Sequence, residues 1–412
     1  MNVPPFLRLS TILGGLSLLA PAFAQAEDNG ISYGELDALN GPSPLEREGL
    51  VETPGLLDGY YAWKADFAKS SGLNYLIEYG LISQWGSQAG DNFHADHELN
   101  VIGMWDLVDN PTFGEGQLMW WFQNAVTLGD ATTSAFNQSL GALSPVNGGD
   151  TAPYANANRL QQLSWEQRLP DDRTRFMLGK LTTRVLMNLN RYAVSDREDF
   201  FSPMIVNNLV VPFTARLGLG AFVEHRTDDW YLSALIRDAD AEDDFVDFDS
   251  PSSGNWEYAS EIGLTPEMDG LGEGIYRITY HYTDAIGEAE SLQPSGWSLS
   301  ASFDQDIGES VGAFFRYAYA DEAWRAFAQR AAIGAQLKGP FSHPDDRIGV
   351  AGWWGDPNGK ASRDEYGLEL FWKLQLTGNL ELSPDLQVIF DPARAPSRDA
   401  VFAGGLRLRL TF

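Results

Sequence analysis

The chain has 412 residues, with 57 Asp and Glu against 28 Lys and Arg, for a formal charge of −29. So acidic a polypeptide lacks the basic surface that phosphate contacts need, which argues against nucleic acid as a partner. The absence of cysteine excludes a disulfide framework. Hydrophobic residues make up 44% and aromatics 12%, with 41 Gly and 13 Trp, yet mean hydropathy is −0.24. No interior stretch reaches the roughly 18 uninterrupted apolar residues of a membrane helix, whereas a sheet that shows lipid every second side chain gives this blend.

At the start, Arg8 precedes an apolar run from Leu9 to Leu19. Ala22-Phe23-Ala24 and Ala24-Gln25-Ala26 follow. This is the pattern of a secretory signal peptide over 1–26 with two cleavage points, the alternative being a buried amphipathic helix. Residues 27–55 carry no sustained period (GPSPLEREGLVETPG), and read as a periplasmic arm with one short helix around Tyr33 to Leu39. Residues 56–412 read as a single transmembrane antiparallel β-barrel in an outer membrane.

From Tyr60 onward, segments of about ten residues alternate apolar and polar, between clusters of Gly, Pro, Asn and Asp. Leu73, Tyr75, Ile77, Tyr79 and Leu81 oppose Asn74, Glu78 and Gly80. Leu99, Val101, Gly103, Trp105 and Leu107 oppose Glu98, Asn100, Met104 and Asp106, and Leu118, Trp120 and Phe122 oppose Gln117, Trp121 and Gln123. Including a strand near Tyr60 to Phe67, the tally is about seventeen, and because single-chain bacterial barrels hold an even number, sixteen is the expectation. A barrel of that size keeps a water-filled lumen. A propeller would need a blade repeat of roughly 40–50 residues, and none is found.

Leu169 to Arg173 (LPDDR) and Arg226 to Asp229 (RTDD) read as short periplasmic turns. Leu128 to Asn158, about thirty residues of mostly small and polar type, is long enough to be functional. Asn188 to Val211 breaks the alternation and reads as an extracellular excursion with a short helix over the pore mouth. The last strand, Ala400 to Phe412, puts Arg407, Arg409 and Thr411 on the water side.

Several local phrases then add up. They are Trp165-Glu166-Gln167, Phe176-Met177-Leu178-Gly179-Lys180, Asp345-Asp346-Arg347-Ile348-Gly349-Val350, Glu381 through Ile389 (ELSPDLQVI) and Gly405 through Phe412 (GLRLRLTF). Together they resemble the carbohydrate-selective porins of the OprB type, most strongly over the C-terminal part. The resemblance implies a sixteen-stranded barrel in a Gram-negative type outer membrane, passing small carbohydrates by facilitated diffusion, and analogy with porins adds assembly as a homotrimer. By analogy with diffusion porins, the Leu128 to Asn158 loop is expected to fold inward as the constriction loop, a disordered extracellular loop being the alternative. The terminal Phe412 is similar to the residue that barrel-assembly machinery reads.

A sugar pore needs planar donors and acceptors and aromatic faces in a narrow wet channel, with charged walls that do not trap the solute. On that logic the constriction candidates are Glu166, Arg168, Lys180, Arg184, Glu98 and Asp106, with Trp121 as the stacking platform because its neighbours take the lipid face. Glu78 and Arg216 also lie opposite apolar faces. Lys180 shares its face with Phe176 and Leu178, which points it at lipid unless Gly179 bulges or the residue sits at the membrane border. Trp105, Trp120, Trp353, Trp354 and Trp372 are placed in aromatic girdles. The acidic run Asp238 to Asp249 reads first as a solvated surface loop, with Ca²⁺ binding as the alternative, since it offers oxygen ligands but lacks the turn glycine of an EF-hand. His94 and His97 make no metal site. No nucleophile elbow, zinc helix or phosphate loop is present. Outer-membrane lipid and lipopolysaccharide are the expected surroundings. A general or cation-preferring porin and, further off, a barrel enzyme or a plugged barrel are the competing readings.

Overall fold

The computed structural model describes residues 44, 46–51, 55–88, 90, 92–148, 157–206, 217–241, 245–286, 293–321, 326–358 and 363–412. The signal sequence, the helix expected around Tyr33 to Leu39, Arg216 and Glu242 to Asp244 lie outside these residues.

Period-two patterning becomes one antiparallel sheet of seventeen strands, of which one, Glu267–Met268, is a two-residue ladder in a turn; the other sixteen form the wall. In chain order they are β1 (Leu73–Gly86), β2 (Phe93–Asn110), β3 (Gly114–Thr127), β4 (Ala157–Arg168), β5 (Thr174–Lys180), β6 (Leu219–Arg226), β7 (Trp230–Asp238) and β8 (Trp256–Leu264). With the two-residue ladder as β9, the chain continues through β10 (Gly272–Thr283), β11 (Gly296–Ile307), β12 (Val311–Ala320), β13 (Phe327–Lys338), β14 (Arg347–Pro357), β15 (Glu365–Thr377), β16 (Leu380–Phe390) and β17 (Ala400–Thr411). The sheet shuts where β17 pairs with β1, from Glu78 opposite Thr411 to Gly86 opposite Ala403. Closure leaves no edge with unpaired backbone groups, which hydrocarbon does not tolerate.

Alternation sorts the side chains. Leu178, Leu232, Ile262, Ile333, Leu368, Leu386 and Phe402 stand exposed on the outside, while Glu78, Asn100, Trp121, Glu166, Arg407 and Arg409 are buried on the inside. Connections 111–113, 169–173, 227–229, 308–310 and 378–379 are short at one end; 128–156, 181–218, 239–255 and 284–295 are long at the other. That asymmetry marks the periplasmic and extracellular ends. Aromatic contacts cluster near both ends: Tyr280, Trp297 and Tyr319 by the long loops, Phe341 and Trp372 by the short turns. Trp353 departs from its girdle assignment. It is buried inward on the parity of Gly349 and Ala351 and packs in the lumenal cluster, leaving Trp354 to face out.

The strand expected near Tyr60 to Phe67 is instead a helix, α1 (Asp58–Ser71), and this removes the odd strand from the tally. Its aromatics recur at helical spacing: Trp63 and Phe67 stack at 5.4 Å and Tyr60 lies 6.2 Å from Trp63. Gly72, at φ 71°, ends the helix in the left-handed conformation and returns its N–H to the Ala68 carbonyl. Ahead of it, the N–H groups of Leu50 and Val51 donate to the carbonyls of Gln375 and Leu376 at 2.9 and 2.8 Å, tying the described part of the arm to the periplasmic rim.

Two long connections turn into the lumen and fill much of it. One, 128–148, carries α2 (Thr133–Leu140), whose Phe136 and Leu140 are fully buried. The other, 181–206, carries a 3-10 turn at Thr183–Val185 and the short α3 (Pro203–Val206), and nearly all of it is buried. The latter overlaps the excursion expected over the pore mouth. Buried charges on the inner wall, described next, draw it inside instead.

Candidate pore constriction

Residues 181–206 cross the lumen and are pinned from opposite sides of the ring. At the start, Arg237 of β7 donates to the Leu181 carbonyl at 3.0 Å, and Gln162 of β4 accepts from Thr182 N at 2.9 Å. Asn188 N donates to Glu261 of β8 at 2.6 Å. Arg191 then reaches Asp304 at 2.6 Å and Asp306 at 3.1 Å on β11, and the Tyr192 hydroxyl bonds Asp306 as well. Arg316 of β12 donates to the carbonyls of Asn188, Ala193, Ile205 and Val206, and Arg330 of β13 to those of Pro203 and Met204. Two carboxylate oxygens of Glu369 on β15 accept the N–H groups of Phe201 and Ser202. Buried backbone groups need partners, and the wall supplies them with charged side chains.

On the side facing β1, β2 and β17 the segment presents charge. Arg197 pairs with Glu98, and lies 3.4 Å from Glu78. Arg409 meets Glu78 at 2.6 Å, Glu198 at 2.8 Å and Glu381 at 3.1 Å. Arg407 donates to the Asp196 carbonyl at 2.6 Å, with its guanidinium 4.6 Å from the Phe201 ring. The result is a continuous chain of ion pairs from β2 to β16, through Glu98, Arg197, Glu78 and Arg409, which branches to Glu198 and Glu381. Between Glu78, Asp96, Glu98, Asp196, Arg197, Arg407 and Arg409 lies an enclosed cavity of about 20 Å³, room for about one water.

Loop carboxyls titrate according to their surroundings. Burial pushes Asp196 up, with Arg184 and Arg197 offsetting only part of it, and burial likewise raises Asp199 against the pull of Lys373. For Glu198 burial also acts upward, but Arg409 and then Lys373 outweigh it and hold the carboxyl below its ordinary range.

The residues singled out from the sequence fall into three places. Trp121, Glu98 and Arg184 come together here. Trp121 is wholly buried, its Nε1 donates to Asn100 Oδ1 at 2.8 Å, and the guanidinium groups of Arg184 and Arg197 lie 5.1 and 5.0 Å from its ring centre. The faces of the indole are thus in cation–π contact with arginine. Glu166 and Arg168 sit nearer the periplasmic end, where Glu166 meets Arg168 at 3.0 Å and Arg175 at 3.4 Å, and Arg175 goes on to Glu224 at 3.2 Å. Asp106 is exposed beside them, within reach of the Arg168 charge. Lys180 is elsewhere. Its ammonium donates to the Phe245 carbonyl of the 239–255 connection and is buried by it. Gly179 stands at φ 138° with its Cβ direction blocked by the Leu163 carbonyl, so the backbone twists there as only glycine allows, while the ladder keeps register with β4.

Sequence reasoning put Arg407 and Arg409 on the wet face without assigning them a role, and missed Arg197 and Glu198. Parity on the closing strand was the available signal for the first pair. For the loop pair no local signal exists, since their partners come from the far ends of the chain.

The other loop folds inward as expected over its described residues, 128–148, and joins this structure. Ser202 Oγ donates to the Pro145 carbonyl at 3.1 Å, Gln84 and Gln387 donate to that of Val146 at 3.1 and 2.8 Å, and a Cβ on Gly148 would lie 2.1 Å from the Asp196 carboxylate. Of the acidic run, Asp238 is buried and accepts from Ser250 Oγ, and Asp247 accepts from the N–H groups of Asp249 and Ser250. Among the described residues no group of three His, Asp or Glu is placed to hold a metal ion.

Comparison with known proteins agrees with this geometry. The model of the family described as "Carbohydrate-selective porin, OprB family" matches residues 127–412. Porin AaxA of Chlamydia pneumoniae is 25% identical over 326 residues, 74% of this chain and 70% of that protein. Porin AaxA of Chlamydia abortus is 23% identical over 319 residues, 74% of this chain and 67% of that one. In fold, the chain is similar to Pseudomonas putida OprB at high pH, with a TM-score of 0.71, 16% identity and coverage of 86% of this chain and 97% of that one. Salmonella typhi OmpF superimposes with a TM-score of 0.56 at 10% identity, over 82% of this chain and 97% of that one.

Proposed function

Since the chain belongs to the OprB family of carbohydrate-selective porins, we propose that it works as an outer-membrane sugar channel and that its filter is the charged strip where residues 195–199 face β1, β2 and β17. Sugars cross down their gradient. Hydroxyl groups exchange with the donors of Arg197, Arg407 and Arg409 and the acceptors of Glu78, Glu98, Glu198 and Glu381. Because these charges are already paired with one another, a neutral solute displaces water without meeting a lone charge that would hold it.

The observation that carries this reading is the unbroken ion-pair chain between the inner wall and the inward-folded segment. In it Glu98, Arg184 and Trp121 belong to the filter, with Trp121 acting as the floor on which two arginines rest. Glu166, Arg168 and Asp106 form a polar vestibule at the periplasmic end, and Lys180 anchors the 239–255 connection. The Asp238 to Asp249 loop is kept as a Ca²⁺ candidate, to be tested by calorimetric titration with the metal. Export through a leader cleaved after Ala24 or Ala26, and assembly as a homotrimer, complete the proposal; N-terminal sequencing and mass in detergent test them.

Planar-bilayer recording tests the filter. Neutral monosaccharides at millimolar concentration are expected to block single-channel current, and Arg409→Ala to weaken that block. Current indifferent to sugar would sink the filter and leave a general diffusion channel. A cation-preferring channel is the second reading, favoured by the four carboxylates against three arginines that line the cavity beside the strip. Reversal potentials in a salt gradient decide it.

A further inference from the structure

Helix α1 plays no part in the pore, and it lies against the outside of the wall. Tyr75 of β1 and Trp105 of β2 are on the lipid-facing parity of their strands. Trp105 Nε1 donates to the carbonyl of Ser71, at the end of α1, at 3.0 Å. Tyr60 and Tyr75 share a hydroxyl contact of 3.3 Å, and Lys64 Nζ stands 4.8 Å over the Tyr75 ring. At the other edge, the Tyr61 hydroxyl reaches the Thr411 carbonyl at 3.4 Å and also accepts from Asn379 in the turn between β15 and β16. The helix therefore runs along the periplasmic rim, from the β16–β17 side to β2, level with the aromatic girdle.

Its surface is divided lengthwise. Tyr60, Trp63 and Phe67 form one flank, with Trp63 stacked on Phe67 yet 53% exposed. Asp58, Ala62, Ala65 and Lys69 form the opposite, exposed flank. Through Tyr60 the aromatic flank is continuous with Tyr75, so the apolar surface of the wall runs without a break onto the helix. Tyrosine and tryptophan concentrate where hydrocarbon gives way to headgroups, and an amphipathic helix in that plane buries its apolar side about 5–10 Å deep.

We propose that α1 is a membrane-interface helix whose Tyr60, Trp63 and Phe67 flank enters the phospholipid headgroup layer of the periplasmic leaflet, fixing the height and rotation of the barrel at the β1–β17 seam. The partner is the glycerophospholipid surface itself, met by aromatic rings and by the Lys64 ammonium reaching toward phosphate. Lys69 and Asp58 stay in water.

The absence of cysteine makes the test direct. Ser70→Cys and Lys69→Cys, one residue apart and about 100° apart around the helix, are each labelled with an environment-sensitive fluorophore. The full-length protein is reconstituted in phosphatidylethanolamine and phosphatidylglycerol vesicles carrying a headgroup-proximal nitroxide lipid. The label at position 70, on the Trp63 side, is expected to be quenched severalfold more by the nitroxide lipid than that at position 69, with the order reversed for aqueous iodide. Equal quenching of both by iodide would overturn the proposal, placing the helix in the periplasm. Protection of position 70 from both quenchers would also overturn it, since protein rather than lipid would then cover that flank. A third label through Trp63→Cys must follow position 70. Because none of these residues lines the lumen, sugar conduction serves as an independent control, and the filter can fail while this assignment stands.

Discussion

The 128–148 stretch, which carries no charged side chain buried against the wall, meets it through amide groups, packed rings and carboxylates that accept its N–H and hydroxyl groups, whereas 181–206, entering the same lumen, meets charged wall side chains throughout and, over 191–198, answers them with charges of its own. In the first, Glu365 accepts the N–H groups of Leu143, Ser144 and Ala393 at 2.7, 2.8 and 2.6 Å, and Phe136 and Leu140 fill space against Gly86. In the second, Arg191, Asp196, Arg197, Glu198 and Asp199 are each carried into a low-dielectric interior. A buried charge is tolerated only opposite its complement, so such a segment can rest only where Asp304, Glu78, Glu98, Arg407 and Arg409 await it. A neutral loop is positioned by shape and admits several arrangements. A charged loop is positioned by address, and in the proposed filter the same groups that fix it are those a polar solute meets.

The largest effect expected from breaking this contrast is at Arg409. Arg409→Leu keeps volume but strands Glu78, Glu198 and Glu381 without their shared cation, a loss of about 3–5 kcal/mol for a buried pair broken on one side. Urea unfolding in detergent, followed by heat-modifiable mobility, reads it. An unshifted transition would show that the strip is hydrated well enough to be indifferent to pairing. Glu365→Gln, the counterpart in the neutral stretch, is expected to cost about 1–3 kcal/mol, confined to that loop. Proteolysis within 128–148 and open-channel conductance should rise, with sugar block retained. Loss of sugar block in Glu365→Gln would move the filter to the first loop.

How much of this was written locally in the sequence follows the same division. Alternation located all sixteen wall strands, because a residue's face is set by its own neighbours. Where the apparent strand at Tyr60 to Phe67 failed, aromatics spaced three and four apart and Gly72 at its end already carried the helical signal. On the wall, parity found Trp121 and Glu98 as inward residues. It could not tell that Trp121 would be covered by Arg184 and Arg197, nor that Lys180 would turn under Phe245, since both depend on where a connection folds. The choice between the two loops went to 128–158 for its length and small residues. What holds 181–206 in the lumen beside it is charge matched across more than two hundred residues of chain, from Glu198 to Arg409, and no local pattern encodes it.

Trp121 allows a finer cut. Trp121→Leu removes the aromatic face under two guanidinium groups, each contact being worth about 0.5–2 kcal/mol. If the ring serves only as a floor for arginine, its loss and that of Arg184→Met are non-additive in the sugar-block constant. Fully additive effects would mean that the ring touches sugar itself. The double-mutant cycle, read as block of single-channel current, separates the two roles.

The smallest expected effect is that of pH, and here the carboxyls of 196–199 act in opposite senses. Asp196 and Asp199 are raised by burial, so the native protein holds more protons than the unfolded chain between the ordinary Asp range and their higher native values. Their contribution to stability therefore grows as pH falls through that window, and is lost as they ionise above it. Glu198 is held low by Arg409 despite burial, so its stabilisation is present above the ordinary Glu range and disappears only in stronger acid. Lowering pH from neutrality toward the ordinary carboxylate range is expected to firm the segment, shift the urea midpoint slightly upward and reduce cation preference in the reversal potential. Further acidification reverses the stability gain as Glu198 is neutralised beside Arg409. A midpoint that falls steadily from neutrality downward would mean that Asp196 and Asp199 are solvated, and that the 196–199 turn is open to water before any solute arrives.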